Sequence, residues 1–154
     1  MLKSSGWLML FTKHGRFLLA ADQYAAHYRS NSRIMSEQPR EIKLHQQSRL
    51  LEITFSDDVC YQLPYEFLRV YSPSADVSGH GPGQEVLQAG KKNVGISALI
   101  PVGSYAVQID FDDGHDTGLY TWEYLNKLGK NQSALWQDYL QRLAAAGESR
   151  ESRH

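Results

Sequence analysis

The densest chemistry in this chain is an acidic run holding Asp110, Asp112, Asp113, His115 and Asp116. Carboxylates and an imidazole gathered at a turn form a donor set for a hard divalent ion such as Mg²⁺, Ca²⁺ or Fe²⁺. His115, Asp113 and Asp116 are the candidate ligands, with His80 added from an earlier glycine-rich loop. A divalent metal is the candidate cofactor. The run does not follow calcium-loop grammar. Gly114 comes one position too early after Asp110, and Thr121 stands where the loop needs its bidentate glutamate. The plainer reading is a charged hairpin end that keeps a sheet edge soluble.

Other residues invite sharper readings and meet plainer ones. Ser78-Gly79-His80-Gly81-Pro82-Gly83 could form a backbone nest for an anion, but no strand-to-helix turn surrounds it, so no dinucleotide fingerprint is present. Gly90-Lys91-Lys92 lacks the Ser or Thr of a phosphate loop. His80 and His115 could pair as ligands or as acid and base. Ser72 or Ser74 beside a histidine would suggest a hydrolase, yet the chain has no Gly-x-Ser-x-Gly nucleophile elbow. Cys60 reads as a small strand residue rather than a nucleophile. Trp122, Trp136 and Tyr139 read as packing aromatics.

The elements that must position these residues follow from periodicity. Ile42 and Leu44, then Leu51, Ile53 and Phe55, alternate with polar neighbours and predict two half-buried strands. Val59, Tyr61 and Leu63 predict a third. Pro64 suits the first turn of a helix that stops before Pro73. Residues 72–92 read as a long loop. Val94–Val102 resumes extended structure, and Tyr105, Val107, Ile109 and Phe111 predict the clearest strand. Asp113-Gly114 makes a hairpin turn, with Gly118–Tyr120 returning. Thr121 is placed to cap a short helix ending before Gly129. Leu135, Trp136, Tyr139, Leu140 and Leu143 share one face of a last helix, closed by Gly147. Strands followed by helices predict an α+β fold: a small, mostly antiparallel sheet, short helices and a C-terminal amphipathic helix.

The chain has 154 residues and 42% apolar residues, enough for one domain with its own core. Residues 1–34 carry Lys3, Lys13, Arg16, Arg29 and Arg33 against Asp22, a net +4, and the remainder is −5. They are patterned poorly for helix or strand. Residues 1–39 are therefore expected to be a basic extension, disordered or over-translated ahead of a natural start at Met35. The domain proper is expected over 40–147, with 148–154 a disordered tail. An acidic domain is a poor fit for nucleic acid. No apolar run is long enough to span a bilayer, so no membrane partner is expected. The single cysteine excludes an intrachain disulfide and suits a reducing cytoplasm.

Several segments resemble one known family. They are Leu63-Pro64-Tyr65-Glu66-Phe67-Leu68-Arg69, Ser72-Pro73-Ser74-Ala75, Gly79-His80-Gly81, Pro101-Val102-Gly103-Ser104-Tyr105-Ala106-Val107 and Asp112–Trp122. Together they resemble the gamma-butyrobetaine-hydroxylase-like N-terminal domain, long catalogued as a domain of unknown function, over about Arg40 to Gly129. The resemblance implies a domain that stands alone in bacteria, precedes the catalytic domain of certain dioxygenases, and is fused in plants to an iron–sulfur-carrier ATPase. In the dioxygenases three cysteines and a histidine of this domain bind structural zinc. Here Ser72, Ser74 and Val77 stand at the cysteine places and His115 at the histidine, so a four-ligand zinc site is not expected. No histidine is followed two residues later by Asp or Glu, so the dioxygenase facial triad is not expected either. The combined expectation is a non-catalytic accessory domain that binds a protein partner, with a link to iron–sulfur assembly implied by fusion. The binding surface is expected at Arg69, Tyr71, Ser72, Ser74 and His80, beside the 112–116 turn. The alternative is a metal-binding accessory domain.

Overall fold

In a computed structural model of the chain, residues 9–11, 16–19, 38–79 and 83–153 are described. The elements run β1 (Met9–Phe11), β2 (Arg16–Leu19), β3 (Pro39–His45), β4 (Leu50–Phe55), β5 (Cys60–Pro64), α1 (Tyr65–Val70) and α2 (Ala75–Ser78). They continue with β6 (Ile96–Val102), β7 (Ala106–Phe111), β8 (Leu119–Thr121), α3 (Trp122–Lys130) and α4 (Gln132–Ala145). The fold is α+β, with two antiparallel sheets ordered β1-β2-β3-β4-β5 and β6-β7-β8.

Alternation builds both inner faces. In β4, Leu51, Ile53 and Phe55 are buried while Leu50, Glu52 and Thr54 are only half-buried. In β7, Val107, Ile109 and Phe111 point inward. These two sets meet Phe67 and Leu68 of α1 and Leu125 and Leu128 of α3 in one core. Thr121 caps α3 as its composition predicts, its hydroxyl accepting from the Tyr124 amide at 3.1 Å. A smaller cluster of Val70, Tyr139 and Leu143 fastens α4, so its apolar stripe does cover a surface.

Five details differ from the sequence expectation. First, two strands, β1 and β2, lie within residues 1–39, and β2 pairs with the free edge of β3. The short apolar runs there are too brief to show a period, but an open edge supplies partners for their backbones. Second, α2 interrupts the 72–92 loop. Third, Tyr105 lies in the turn before β7 and is exposed. Fourth, Gly129 is inside α3 rather than past its end, because any Cβ there would run into the Tyr61 ring. That close approach offsets the helix penalty of about 1 kcal/mol that glycine carries. Fifth, the tail after Gly147 is held. Ser149 and Arg150 carbonyls accept from the amides of Gly90 and Lys92 at 2.9 and 3.0 Å, and the Arg150 side chain pairs with Glu66. Periodicity could not show this, since the tail contributes hydrogen bonds and not an apolar stripe.

Candidate functional site

The segment after α1 and the turn after β7 are brought together. Pro64 ends β5 at φ −58° and starts α1, whose six residues are all buried. Arg69 in its last turn is therefore carried into the interior. Tyr71 caps the helix and is tied on two sides: its hydroxyl donates to the Leu135 carbonyl at 2.6 Å, and its own carbonyl accepts from Tyr124 at 2.7 Å. Tyr71 thus fastens α1 to α3 and α4, a structural task for a residue expected on a partner-binding loop. Ser72 follows at 2% exposure.

On the other side, Gly114 at φ +85° allows the tight turn out of β7. The Phe111 amide donates to the His115 carbonyl at 2.9 Å, which folds His115 back over the sheet. His115 Nε2 lies 2.8 Å from Ser72 Oγ, and the ring tautomer decides which of the two donates. Ser72 Oγ also accepts from the Ser74 amide at 3.3 Å. Ser74 Oγ is buried without a partner among the described residues. Asp76 in α2 accepts from the Thr117 hydroxyl at 3.2 Å and closes the contact from outside.

Asp113 is the electrostatic hinge. Its carboxylate accepts from Arg69 Nε at 2.9 Å and from Lys91 Nζ at 2.7 Å. Burial opposes its charge, but the Lys91 hydrogen bond and the Arg69 guanidinium outweigh it, so its pKa is lowered. Arg69 Nη1 donates to Gln88 Oε1 at 3.1 Å, and Tyr139 donates to the Gln88 carbonyl at 2.8 Å. The 88–91 segment is thereby part of the site.

His115 sits otherwise than its local sequence suggests. Its place just past a hairpin tip suggests exposure, and its acidic neighbours suggest a raised pKa. The ring is instead buried at 9% exposure, and its pKa is lowered. Burial is the largest cause, and the Arg69 charge adds to it against the weaker pull of Asp113 and Asp76.

The expected metal ligands do not converge as a set. Asp113 is taken by two cations, Asp116 is exposed, and His115 Nε2 faces Ser72. His80 lies outside the described residues. Among the described residues no three His, Cys, Asp or Glu side chains group around an ion position. Ser72, Ser74 and His115 do come together as the resemblance implies, with Val77 buried in the α2 that follows. Two hydroxyls and a valine give zinc no thiolate, so these residues do not fit that ion. The Ser72–His115 pair has hydrolase-like spacing, but both groups are buried. Sequence reasoning missed Lys91, Gln88 and Asp76. The basic pair Lys91-Lys92 was the available signal, and it invites comparison only with a phosphate loop.

The gamma-butyrobetaine hydroxylase-like, N-terminal family model matches residues 42–126. The chain belongs to this family. Two NMR solution structures are similar to this family member at 50% and 53% identity, each over 76% of this chain, with TM-score 0.66. The matches cover 92% and 87% of those chains. A crystal structure from Acidithiobacillus ferrooxidans ATCC 23270, described as a protein of unknown function in the DUF971 family, is 39% identical. That match covers 62% of this chain and 96% of that one, with TM-score 0.52. No curated protein matches. The family match begins in β3 and ends in α3, so it encloses both halves of the site but neither α4 nor the tail.

Proposed function

We propose that this gamma-butyrobetaine-hydroxylase-like domain is a non-catalytic accessory domain that works by binding a protein partner at the face formed by α2, residues 83–86 and the 112–117 turn. One observation carries the reading. Val86 is a large apolar side chain left 53% exposed. Its amide donates to the Val77 carbonyl at 2.8 Å, which sets it beside Asp76. Asp76 accepts from Thr117, and Glu85 adds a further exposed carboxylate. An exposed apolar residue on segments that also carry Asp76 and Glu85 suits a partner with an apolar pocket and a basic rim. Elsewhere His115 pairs with Ser72 and Asp113 with Arg69, which supports a rigid platform better than an open reacting position.

The test is affinity for a partner captured with the full chain. Val86→Asp should weaken binding at least about tenfold, as loss of a central anchor does. Ile100→Asp, on the outer face of the second sheet, should leave it unchanged. Equal binding by both variants would sink the reading.

A further inference from the structure

Glu66 sits in the first turn of α1 at 5% exposure. A buried carboxylate needs a cation and hydrogen bonds, and Arg150 supplies both. Its Nε and Nη2 reach the two oxygens at 2.9 and 2.6 Å, a bidentate fork. The guanidinium also lies 5.0 Å from the Trp136 ring centroid. Around this socket the Gly90 and Lys92 amides donate to the Ser149 and Arg150 carbonyls, and Ser152 Oγ donates to the Gly90 carbonyl at 3.0 Å.

The two partners are held very differently. Glu66, Trp136 and the 90–92 backbone belong to the packed body. Arg150 rides on a terminal segment that leaves α4 through exposed residues 144–147, with Gly147 at φ +66°. The tail also repeats itself: Glu148-Ser149-Arg150 is followed by Glu151-Ser152-Arg153. Arg153 is on the surface against Glu148 at 3.1 Å. A three-residue slip would offer a second guanidinium to the same socket. A fixed acceptor with backbone hydrogen-bonding groups, meeting a repeated motif on a terminal segment, has the parts of an extended-peptide site.

We propose that the groove of Glu66, Trp136 and Gly90–Lys92 is a docking site for an extended, arginine-bearing protein segment, held in the free chain by its own tail and taken by a partner segment of the same chemistry. The proposal rests on the partner-binding reading above but uses another surface, so Val86→Asp should not affect it.

The probe is the acetylated, amidated peptide Ser-Arg-Glu-Ser, titrated onto the full-length Arg150→Ala/Arg153→Ala chain and followed by Trp136 fluorescence. It should bind that variant at least about tenfold more tightly than the wild-type chain, where the tail competes. Replacing its arginine by lysine should weaken it, because lysine cannot make the fork. Glu66→Gln added to the variant should abolish binding. No binding to a variant that keeps its native spectrum overturns the proposal and leaves the tail a structural clasp. If the variant does not fold, the wild-type chain decides. Excess peptide should move the Arg150 Nε–H resonance to its free position, and an unmoved resonance overturns the proposal.

Discussion

Arg69–Asp113 and Arg150–Glu66 are near mirror images. In the first pair the guanidinium is the buried member, 8% exposed against 22% for the carboxylate. In the second the carboxylate is buried at 5% and the guanidinium is 38% exposed. Both anchored members, Arg69 and Glu66, lie on α1, one in its last turn and one in its first. The partners come from a hairpin turn and from the tail. The difference shows which loss each region can bear. Removing a surface partner leaves a charge stranded inside, and that stranded charge rather than the lost attraction sets the cost.

The largest effect should come from Asp113→Ala, which among the described residues strands Arg69 with only Gln88 and frees Lys91. We expect a loss of about 3 kcal/mol in urea unfolding, the low end for breaking a buried pair. A loss under about 1 kcal/mol would place the pair with ordinary surface bridges. Arg150→Ala should cost about 2 kcal/mol, less because that guanidinium is well exposed to solvent. Adding Glu66→Gln to Arg150→Ala should restore about 1 kcal/mol by removing the stranded charge. No restoration would mean that packing on Trp136, and not the ion pair, holds the tail.

Smaller effects concern pH and metal. His115 has a lowered folded pKa, so the unfolded chain takes up its proton first. Its contribution to stability is present above the unfolded value of 6.5 and is lost as pH falls through it toward the folded value. Asp113 also has a lowered pKa, and its contribution is lost further down, as pH falls below 3.8 through the folded value. His115→Gln should flatten the slope of melting temperature between about pH 7 and 5 and leave the steeper acid limb in place. An unchanged upper slope would show that the ring is open to water. The smallest expected effect is none: a chelator should leave the melting curve unchanged, since Ser72, Ser74 and Val77 offer zinc no thiolate.

The core was readable because burial imposes a period. Leu51, Ile53 and Phe55 announce their face, and so do Val107, Ile109 and Phe111. The convergence of Ser72 and Ser74 with His115 was readable only by likeness to a family, since nothing local links a segment after α1 to a turn after β7. The environment of His115 was misread for a related reason. Its neighbours in sequence are carboxylates, but its surroundings in space add Ser72, Phe111 and the Arg69 charge, and burial outweighs the carboxylates. Arg150 and Glu66 were invisible as a pair because long-range ion pairs leave no periodic mark.

Gly129 and Tyr61 form a lock whose consequence is hereditary. A side chain at position 129 and a ring at position 61 claim the same volume, so position 129 cannot gain a side chain while position 61 keeps its ring. Among descendants of this chain, the two sites should change together: a larger residue at 129 should appear only where position 61 has given up its ring.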